Sequence, residues 1–295
     1  MTLVPLPAGL APDAVEKLRW DTFGQRQNSS VRSQPDLVRF TAARGFVLRA
    51  PAPGLHYPSI LAAAAGRPQQ QPVADEQSRK AEAWIRQSIV SRRLLHAAVL
   101  SHRASLVDFD YIGDFFALSG HRGEADDHVR LCKSGGLSAE ASTLCGWLVR
   151  EGRALARSEL AQRMQIQGAR GEQRMRALLD EAVQALVLVP IDWRAVAERD
   201  PEPVCDLLPR VYAACVERAR TTSPEAARQR IAGRYLRNVL VAGCHDLASV
   251  LAWSEKDTLV ALQALEGKGE VAAHPSSRPN RWIFQATATD LLSES

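Results

Sequence analysis

Residues 246–285 read DLASVLAWSEKDTLVALQALEGKGEVAAHPSSRPNRWIFQ, and this stretch determines the fold class. It predicts a short helix from Asp246 to Trp253, after which Ser254 and Asp257 form a capping box that begins a further helix. Two short strand-like segments then flank the turn-forming run Pro275 to Asn280. A short helix, a capped second helix and a hairpin are typical of a helix-turn-helix with a wing, a unit that proteins use to hold duplex DNA.

The helix that begins after Ser254 has an apolar side and a polar side. Its leucines recur at helical spacing and predict the buried side, at Leu259, Leu262 and Leu265. Lys256 is then left on the outward side, where it can meet DNA. The hairpin tip carries further residues suited to the phosphate backbone. The predicted DNA-binding residues of this unit are Lys256, Arg278, Asn280 and Arg281.

A stretch earlier in the chain repeats the same landmarks in the same order. It runs from Glu140 through Ser158, which caps a short helix, into a long helix with an apolar stripe. The strand Val187 to Ile191 follows, but no clear returning strand does, so this copy is less complete. Such self-similarity indicates a repeated supersecondary unit. The residues at the start of the long helix that we predict to contact DNA are Arg170, Gln173 and Arg174.

Upstream of both copies lies a region that the sequence predicts to be helical. A helix begins at Pro35–Asp36 and ends at Gly45, a short helix ends at Gly66, and the longest helix runs from Asp75 to about Leu106. The stretch from Gly120 to Gly136 is the best candidate for a linker.

Together these patterns predict a mainly α protein with small β-wings, built from tandem winged helix-turn-helix units. The predicted boundaries are residues 1–35 for an N-terminal tail and 36–120 for a first, divergent winged-helix-like module. Residues 137–195 form the predicted second winged helix and residues 220–290 the third. A chain of 295 residues with 46% hydrophobic content is long enough for several small cores.

The composition narrows the class of function. No apolar run reaches the ~20 residues of a membrane helix, and residues 1–10 lack the order of a signal peptide, so we expect a cytoplasmic protein with no membrane partner. The net charge of +4 attracts polyanions only where the basic residues are concentrated. Five cysteines without close pairing are typical of reduced thiols. The chain lacks a phosphate-binding loop, a nucleophile elbow and a kinase signature, and we expect no cofactor.

Several residue types that bind metals crowd the candidate linker, but their spacing matches no zinc pattern. They are His121, Asp126, Asp127, His128 and Cys132. A polar loop explains this composition, so we assign no metal.

The order of these pieces resembles the winged-helix DNA glycosylases of the AlkZ-like superfamily, which act on alkylated and crosslinked DNA, and more closely its AlkZ-related branch. The resemblance spans roughly residues 36 to 285 in order and spacing. It is carried by Phe40 to Phe46, Tyr57 to Arg67, Trp84 and both winged-helix units. It implies tandem winged helices around a concave surface that binds double-stranded DNA, and base excision without a metal.

The superfamily's catalytic signature is a Gln-x-Gln or Gln-x-Arg pair, placed after the first helix, that holds the attacking water. Alternate residues of an extended segment point to one face, so both can grip one water. In this chain the resemblance places Arg49 at the second position as the candidate catalytic residue, with Val47 in place of the first glutamine. Gln25 and Gln27 do spell the motif, but they precede the first helix in a turn-rich tail, and we interpret the match as coincidence.

Tyr57 is a further candidate for DNA contact, because an aromatic residue beside His56 in a loop can wedge into a base stack or support an extruded base. Packing against the core is the alternative. For the whole chain, the first hypothesis is a DNA-repair protein that excises bases. The second is a non-catalytic DNA-binding protein or regulator that lost the water-holding pair. The third is protein–protein contact, which the acidic Asp257 and Glu266 favour.

Overall fold

The computed structural model describes residues 17, 19–20, 22–25, 31–67, 69, 71–197, 199–275 and 282–286. The chain divides into two compact units. Unit 1 is formed by residues 1–84, 99–106 and 224–295, and unit 2 by residues 85–98 and 107–223. None of the helices within the described ranges combines the length and the apolar composition that a bilayer crossing requires.

The helix α1 (Gln34–Arg44) of unit 1 confirms the predicted ends. The Ser33 hydroxyl is its N-cap and accepts a hydrogen bond from the Asp36 amide at 3.3 Å. Gly45 ends the helix with a φ of 71°, which glycine adopts without the steric cost of a side chain. Residues close to the two ends of α1 are therefore sufficient to set where this helix begins and ends.

The long helix predicted from Asp75 to about Leu106 is wrong in its second half. The helix ends at Val90, and two strands follow. Ser101 and His102 turn the chain between these strands with φ of 47° and 58°, without the Gly or Asn that signals such a turn. The first strand carries apolar residues on both faces, so its alternation is hidden. After α1 the elements are β1 (Phe46–Leu48), α2 (Ile60–Ala65), α3 (Glu76–Val90), β2 (Leu94–Leu100) and β3 (Arg103–Asp108).

Unit 2 is built around an apolar core that its longest helix shares with a three-stranded sheet. The buried members include Leu144, Leu148, Leu179 and Leu188. The elements in chain order are α4 (Phe109–Leu118), α5 (Asp127–Lys133), α6 (Ala139–Glu151), β4 (Leu155–Ala156), α7 (Arg157–Arg163), α8 (Gly168–Gln184), β5 (Leu188–Val196), β6 (Arg199–Leu207), α9 (Leu208–Val211) and α10 (Ala213–Thr221).

The sequence predicted no clear returning strand for the repeat that lies in unit 2, and this expectation is wrong. β6 runs antiparallel to β5, with Trp193 opposite Pro203. Pro201 and Pro203 hide the strand in the sequence, because proline cannot donate to a ladder and argues against a central strand. β4 pairs with β6 at Val204 and Cys205, so both prolines precede the part of β6 that lies between two strands.

The linker predicted from Gly120 to Gly136 is also wrong in part. Residues 127–133 form α5, and Asp127 and His128 at its start are buried. Burial of two polar side chains identifies this stretch as part of the folded unit.

The third stretch of the chain confirms the predicted start of the helix after Ser254. The Ser254 hydroxyl accepts a hydrogen bond from the Asp257 amide at 3.0 Å. The Asp257 carboxylate pairs with Arg228 at 3.4 Å, so only the Ser254 half of the predicted capping box is formed. The elements are α11 (Pro224–Val239), β7 (Val241–Gly243), α12 (Cys244–Leu251), α13 (Glu255–Gly267), β8 (Val271–Pro275) and β9 (Trp282–Ala286).

One order of elements occurs three times in the part of the chain that the structure describes: helix, strand, helix, helix, strand, strand. The repeats begin at α1, α6 and α11. In each sheet the last strand lies in the centre, as β1-β3-β2, β4-β6-β5 and β7-β9-β8. The N-terminal region, predicted from the sequence as helical, thus has the same order and strand arrangement as the other two.

Candidate functional site

The position that the resemblance assigns to catalysis, Arg49, follows β1 and is fixed by its backbone. Its amide donates to the Ala104 carbonyl at 2.9 Å, and its carbonyl accepts from the Leu61 amide at 3.2 Å. These bonds tie Arg49 to β3 on one side and to α2 on the other. The side chain of Arg49 therefore extends from a backbone position that is held on both sides.

The Arg49 guanidinium binds the Glu82 carboxylate of α3 through two hydrogen bonds. Nε lies 2.8 Å from Oε1 and Nη2 lies 2.7 Å from Oε2. Such a fork aligns both groups as well as attracting them. The Arg49 side chain is 42% exposed and the Glu82 side chain 21%. The pair is thus accessible from solvent, while the carboxylate is the more shielded partner.

Val47 contributes no polar group to this site. Its side chain is fully buried, as are Phe46 and Leu48 on either side. The place where the superfamily signature has its first glutamine therefore belongs to the core. Sequence reasoning missed Glu82, because a glutamate on an amphipathic helix is ordinarily a solvated residue and its partner lies 33 positions away.

Tyr57 lies in the core of unit 1. It is 4% exposed and stacks between Phe46 and Tyr235, with ring centroids 5.9 Å and 5.0 Å away. Its hydroxyl accepts a hydrogen bond from Asn238 Nδ2 at 2.7 Å. The same nitrogen donates to the Arg44 carbonyl at 2.9 Å. Packing accounts for Tyr57, and a buried ring does not present a wedge to a base stack.

The predicted DNA contacts of unit 2 lie on the first half of α8. Arg170, Gln173 and Arg174 are all exposed. Arg170 and Arg174 are four residues apart and share one helix face. Arg174 binds Glu140 of α6, with Nε 2.9 Å from Oε2. Part of this basic face is therefore paired with a carboxylate in the free protein.

The corresponding helix of unit 1, α13, carries an acidic surface. Lys256 is exposed as predicted. Glu255 beside it pairs with His245, with Oε1 2.6 Å from Nδ1. Glu266 is exposed, and Val260 is 51% exposed. The first turns of the two helices thus differ: α8 begins with Arg170 near Arg174, whereas α13 begins with Glu255 and Asp257 around Lys256.

The residues Arg278, Asn280 and Arg281 of the predicted wing lie outside the described residues, and so does Gln27. The strands before and after that segment, β8 and β9, pair antiparallel from Val271 opposite Ala286 to Pro275 opposite Trp282. Gln25 is described, and its amide donates to the Trp20 carbonyl at 2.9 Å.

Unit 2 also contains a cavity of about 300 Å³ beside the buried pair His121 and Asp127. Burial lowers the pKa of His121, whose Nε2 lies 2.6 Å from the Ala185 carbonyl. Burial favours a higher pKa for Asp127, but the Arg122 amide and the Arg130 guanidinium outweigh it and hold that pKa below its usual range. Within the described ranges, no group of three or more His, Cys, Asp or Glu side chains is placed to hold a metal ion.

The fold is shared with a known enzyme. The Streptomyces sahachiroi DNA glycosylase AlkZ superposes with a TM-score of 0.53 at 14% sequence identity, over 92% of this chain and 70% of the AlkZ chain. At this identity the likeness concerns the fold alone. No protein-family model matches the sequence, and no curated protein matches it either. The chain therefore has an AlkZ-like fold, mainly helical with small antiparallel sheets.

Proposed function

We propose that this protein binds double-stranded DNA through tandem winged helices and acts in DNA repair. The observation that carries the proposal is the threefold recurrence of one element order with the last strand central, in a chain whose fold is that of a DNA glycosylase. A helix-turn-helix followed by a hairpin presents one helix and one loop to the duplex. Three such units in one chain give several attachment points along a DNA backbone.

The basic surface of α8 is the best candidate for phosphate contact. Arg170 and Arg174 are exposed on one face of this helix, and Gln173 is exposed between them. Arginine pairs bidentately with phosphate oxygens, and glutamine can bond to phosphate or base edges. Lys256 on α13 and the wing residues Arg278, Asn280 and Arg281 complete the proposed contact set. Because Tyr57 is buried, the set excludes it.

The reaction we propose is hydrolysis of the glycosidic bond of an alkylated base, with Arg49 at the reaction centre. Arg49 lies where the superfamily places its second water-holding residue, and its side chain is accessible from solvent. A residue that holds the attacking water beside the reacting carbon lowers the entropic cost of bringing the two together in the transition state.

A non-catalytic DNA-binding protein is the second candidate function. The observation in its favour is the complete burial of Val47, which leaves the water-holding pair without its first member. Contact with another protein is a third candidate, supported by the acidic surface of α13.

The deciding experiment incubates the purified protein with a duplex that carries N7-methylguanine and then cleaves abasic product with alkali. Strand cleavage identifies a glycosylase. Salt-dependent binding of the duplex without cleavage identifies a DNA-binding protein, and the absence of binding favours protein contact. If excision occurs, Arg49→Ala lowers the single-turnover rate on the order of a hundredfold or more.

The matched control for Arg49→Ala is the double change Gln25→Ala and Gln27→Ala, which is expected to leave the rate unchanged. A dead double variant beside an active Arg49→Ala variant would contradict the assignment of Arg49 and move catalysis to the N-terminal tail.

A further inference from the structure

Glu82 is the one acidic side chain that the structure brings onto Arg49 through a described hydrogen bond. We propose that Glu82 is the catalytic carboxylate that holds and deprotonates the attacking water, and that Arg49 positions this carboxylate. This inference rests on the proposed base excision. It assigns the missing water-holding group to α3 instead of to the segment after α1.

The environment of Glu82 differs from that of an ordinary helix-surface glutamate. Its neighbours on the helix, Ala81 and Ile85, are buried in the core, so the backbone under Glu82 is fixed. Its side chain is 21% exposed. Glu76 on the same helix is 73% exposed and pairs with Lys80 one turn away. Glu76 is therefore a solvated surface residue, whereas Glu82 lies at the edge of the core and faces a second element.

The geometry of the ion pair leaves Glu82 able to bind water. A carboxylate offers about four lone-pair positions, and the fork from Arg49 takes one on each oxygen. Each oxygen thus keeps a position for a water hydrogen. The fork also fixes the plane of the carboxylate.

Val47 explains why the chain requires a group from elsewhere. The side chain of Val47 is fully buried, so β1 cannot supply a second polar residue beside Arg49. α3 supplies one at 2.7–2.8 Å from the same guanidinium. Arg49 and Glu82 then present a donor and an acceptor at one point, which is what a single bound water requires.

The reaction balances with water as the only co-reactant. The water oxygen forms a bond to C1′ of the sugar as the bond from C1′ to the purine nitrogen breaks. The electron pair of the broken bond leaves with the base, and the proton released by the water goes to the Glu82 carboxylate. A guanine alkylated on N7 carries a positive charge in the nucleotide and leaves as a neutral base, so the step needs no general acid.

The test compares Glu82→Gln with the wild type in single-turnover excision of N7-methylguanine from a labelled duplex. Glutamine keeps the size of the side chain and one acceptor toward Arg49, but it cannot take a proton. We expect the rate to fall on the order of a hundredfold or more, while the Kd for the duplex changes by less than about twofold. Glu76→Gln removes the same charge from the same helix and is the matched control, with an unchanged rate.

A chemical rescue separates catalysis from structural support. In Glu82→Ala, added formate at constant ionic strength is expected to restore part of the rate, because a free carboxylate can occupy the vacated space. Where Glu82→Ala fails to fold, as judged by its circular dichroism, Glu82→Gln decides alone.

Three outcomes overturn the proposal, and they are distinguishable. If Glu82→Gln excises at the wild-type rate, base excision stands and the role of Glu82 falls. If the wild type binds the duplex with a salt-dependent Kd but excises nothing, DNA binding stands and the catalytic assignment falls. If the wild type neither binds nor excises, the proposed function itself falls.

Discussion

Glu140 on α6 restrains Arg174 on α8, and its removal is expected to strengthen DNA binding. In the free protein the Glu140 carboxylate holds the Arg174 guanidinium, with Nε 2.9 Å from Oε2, and both side chains are about half exposed. The change Glu140→Gln removes this partner and one negative charge beside the proposed contact face. An arginine released in this way can bind a phosphate.

The magnitude follows from counterion release. Each phosphate contact on duplex DNA contributes a slope of about −0.9 to the plot of log K against log salt. Between 1 M and 0.1 M salt, a protein with one added contact therefore gains about eightfold more in association constant than the protein without it. Glu140→Gln is expected to steepen the slope by up to about 0.9, and adding Arg174→Ala to that variant is expected to return the slope to the wild-type value.

The assay is fluorescence anisotropy of a labelled duplex titrated with protein over a series of sodium chloride concentrations. The matched control is Glu217→Gln on α10, where the carboxylate pairs with Arg220 and is 71% exposed. This control removes one charge from a comparable surface pair in the same unit. It therefore separates the local release of Arg174 from a change in net charge.

The reasoning fails if Glu140→Gln and Glu217→Gln have the same slope and the same affinity. That result would mean that Arg174 does not face the duplex, and it would remove α8 from the proposed contact surface. A gain that persists in the double variant Glu140→Gln, Arg174→Ala would assign the effect to Glu140 alone.

Three further predictions concern the core and the wing. Tyr57→Phe is expected to lower the free energy of unfolding by about 1–3 kcal/mol, because it leaves a buried donor of Asn238 without its acceptor; an unchanged urea midpoint would contradict this. The wild type is expected to lose stability as the pH falls below 6.5, because burial lowers the pKa of His121 and the folded state then binds fewer protons than the unfolded state. The His121→Gln variant should lose less stability than the wild type between pH 7.5 and pH 5.5, as measured by thermal unfolding. An equal loss in both proteins would exclude His121 as the source of the pH dependence. Replacing Arg278 and Arg281 by alanine is expected to flatten the salt slope of DNA binding by up to about two units, and an unchanged slope would exclude the wing from the contact surface.

Local signals in the sequence predicted the elements whose ends depend on adjacent residues. Pro35 and Gly45 marked the ends of α1, and Ser254 marked the start of α13, because the residues that begin and end a helix act only a few positions away. The repeated order of the second and third copies was visible for the same reason. Apolar spacing and turn residues belong to each copy separately.

The sequence did not predict features that depend on distant partners. β2 is apolar on both faces because it is covered on both, and this hides the alternation of a strand. β6 contains two prolines, which are tolerated because they precede the residues that pair with β4 and so lie where β6 has only β5 beside it. Glu82 looks like a solvated helix residue until the fold places it on Arg49. Elements with local causes were therefore predictable, whereas Glu82 could be found only from the fold, and the role of Arg49 stays a prediction.

The division of the chain has a consequence for its synthesis on the ribosome. Unit 1 combines segments that come before and after unit 2 in the sequence, since Tyr57 stacks on Tyr235 and hydrogen-bonds to Asn238. At about 5–20 residues per second, the segment ending at Trp84 emerges roughly 7–30 s before the segment that begins at Pro224. During that interval the ring of Tyr57 lacks Tyr235 and its hydroxyl lacks Asn238, while most of unit 2 has already been synthesised. Nascent unit 1 is thus the part of this protein that is most exposed to chaperones and to aggregation.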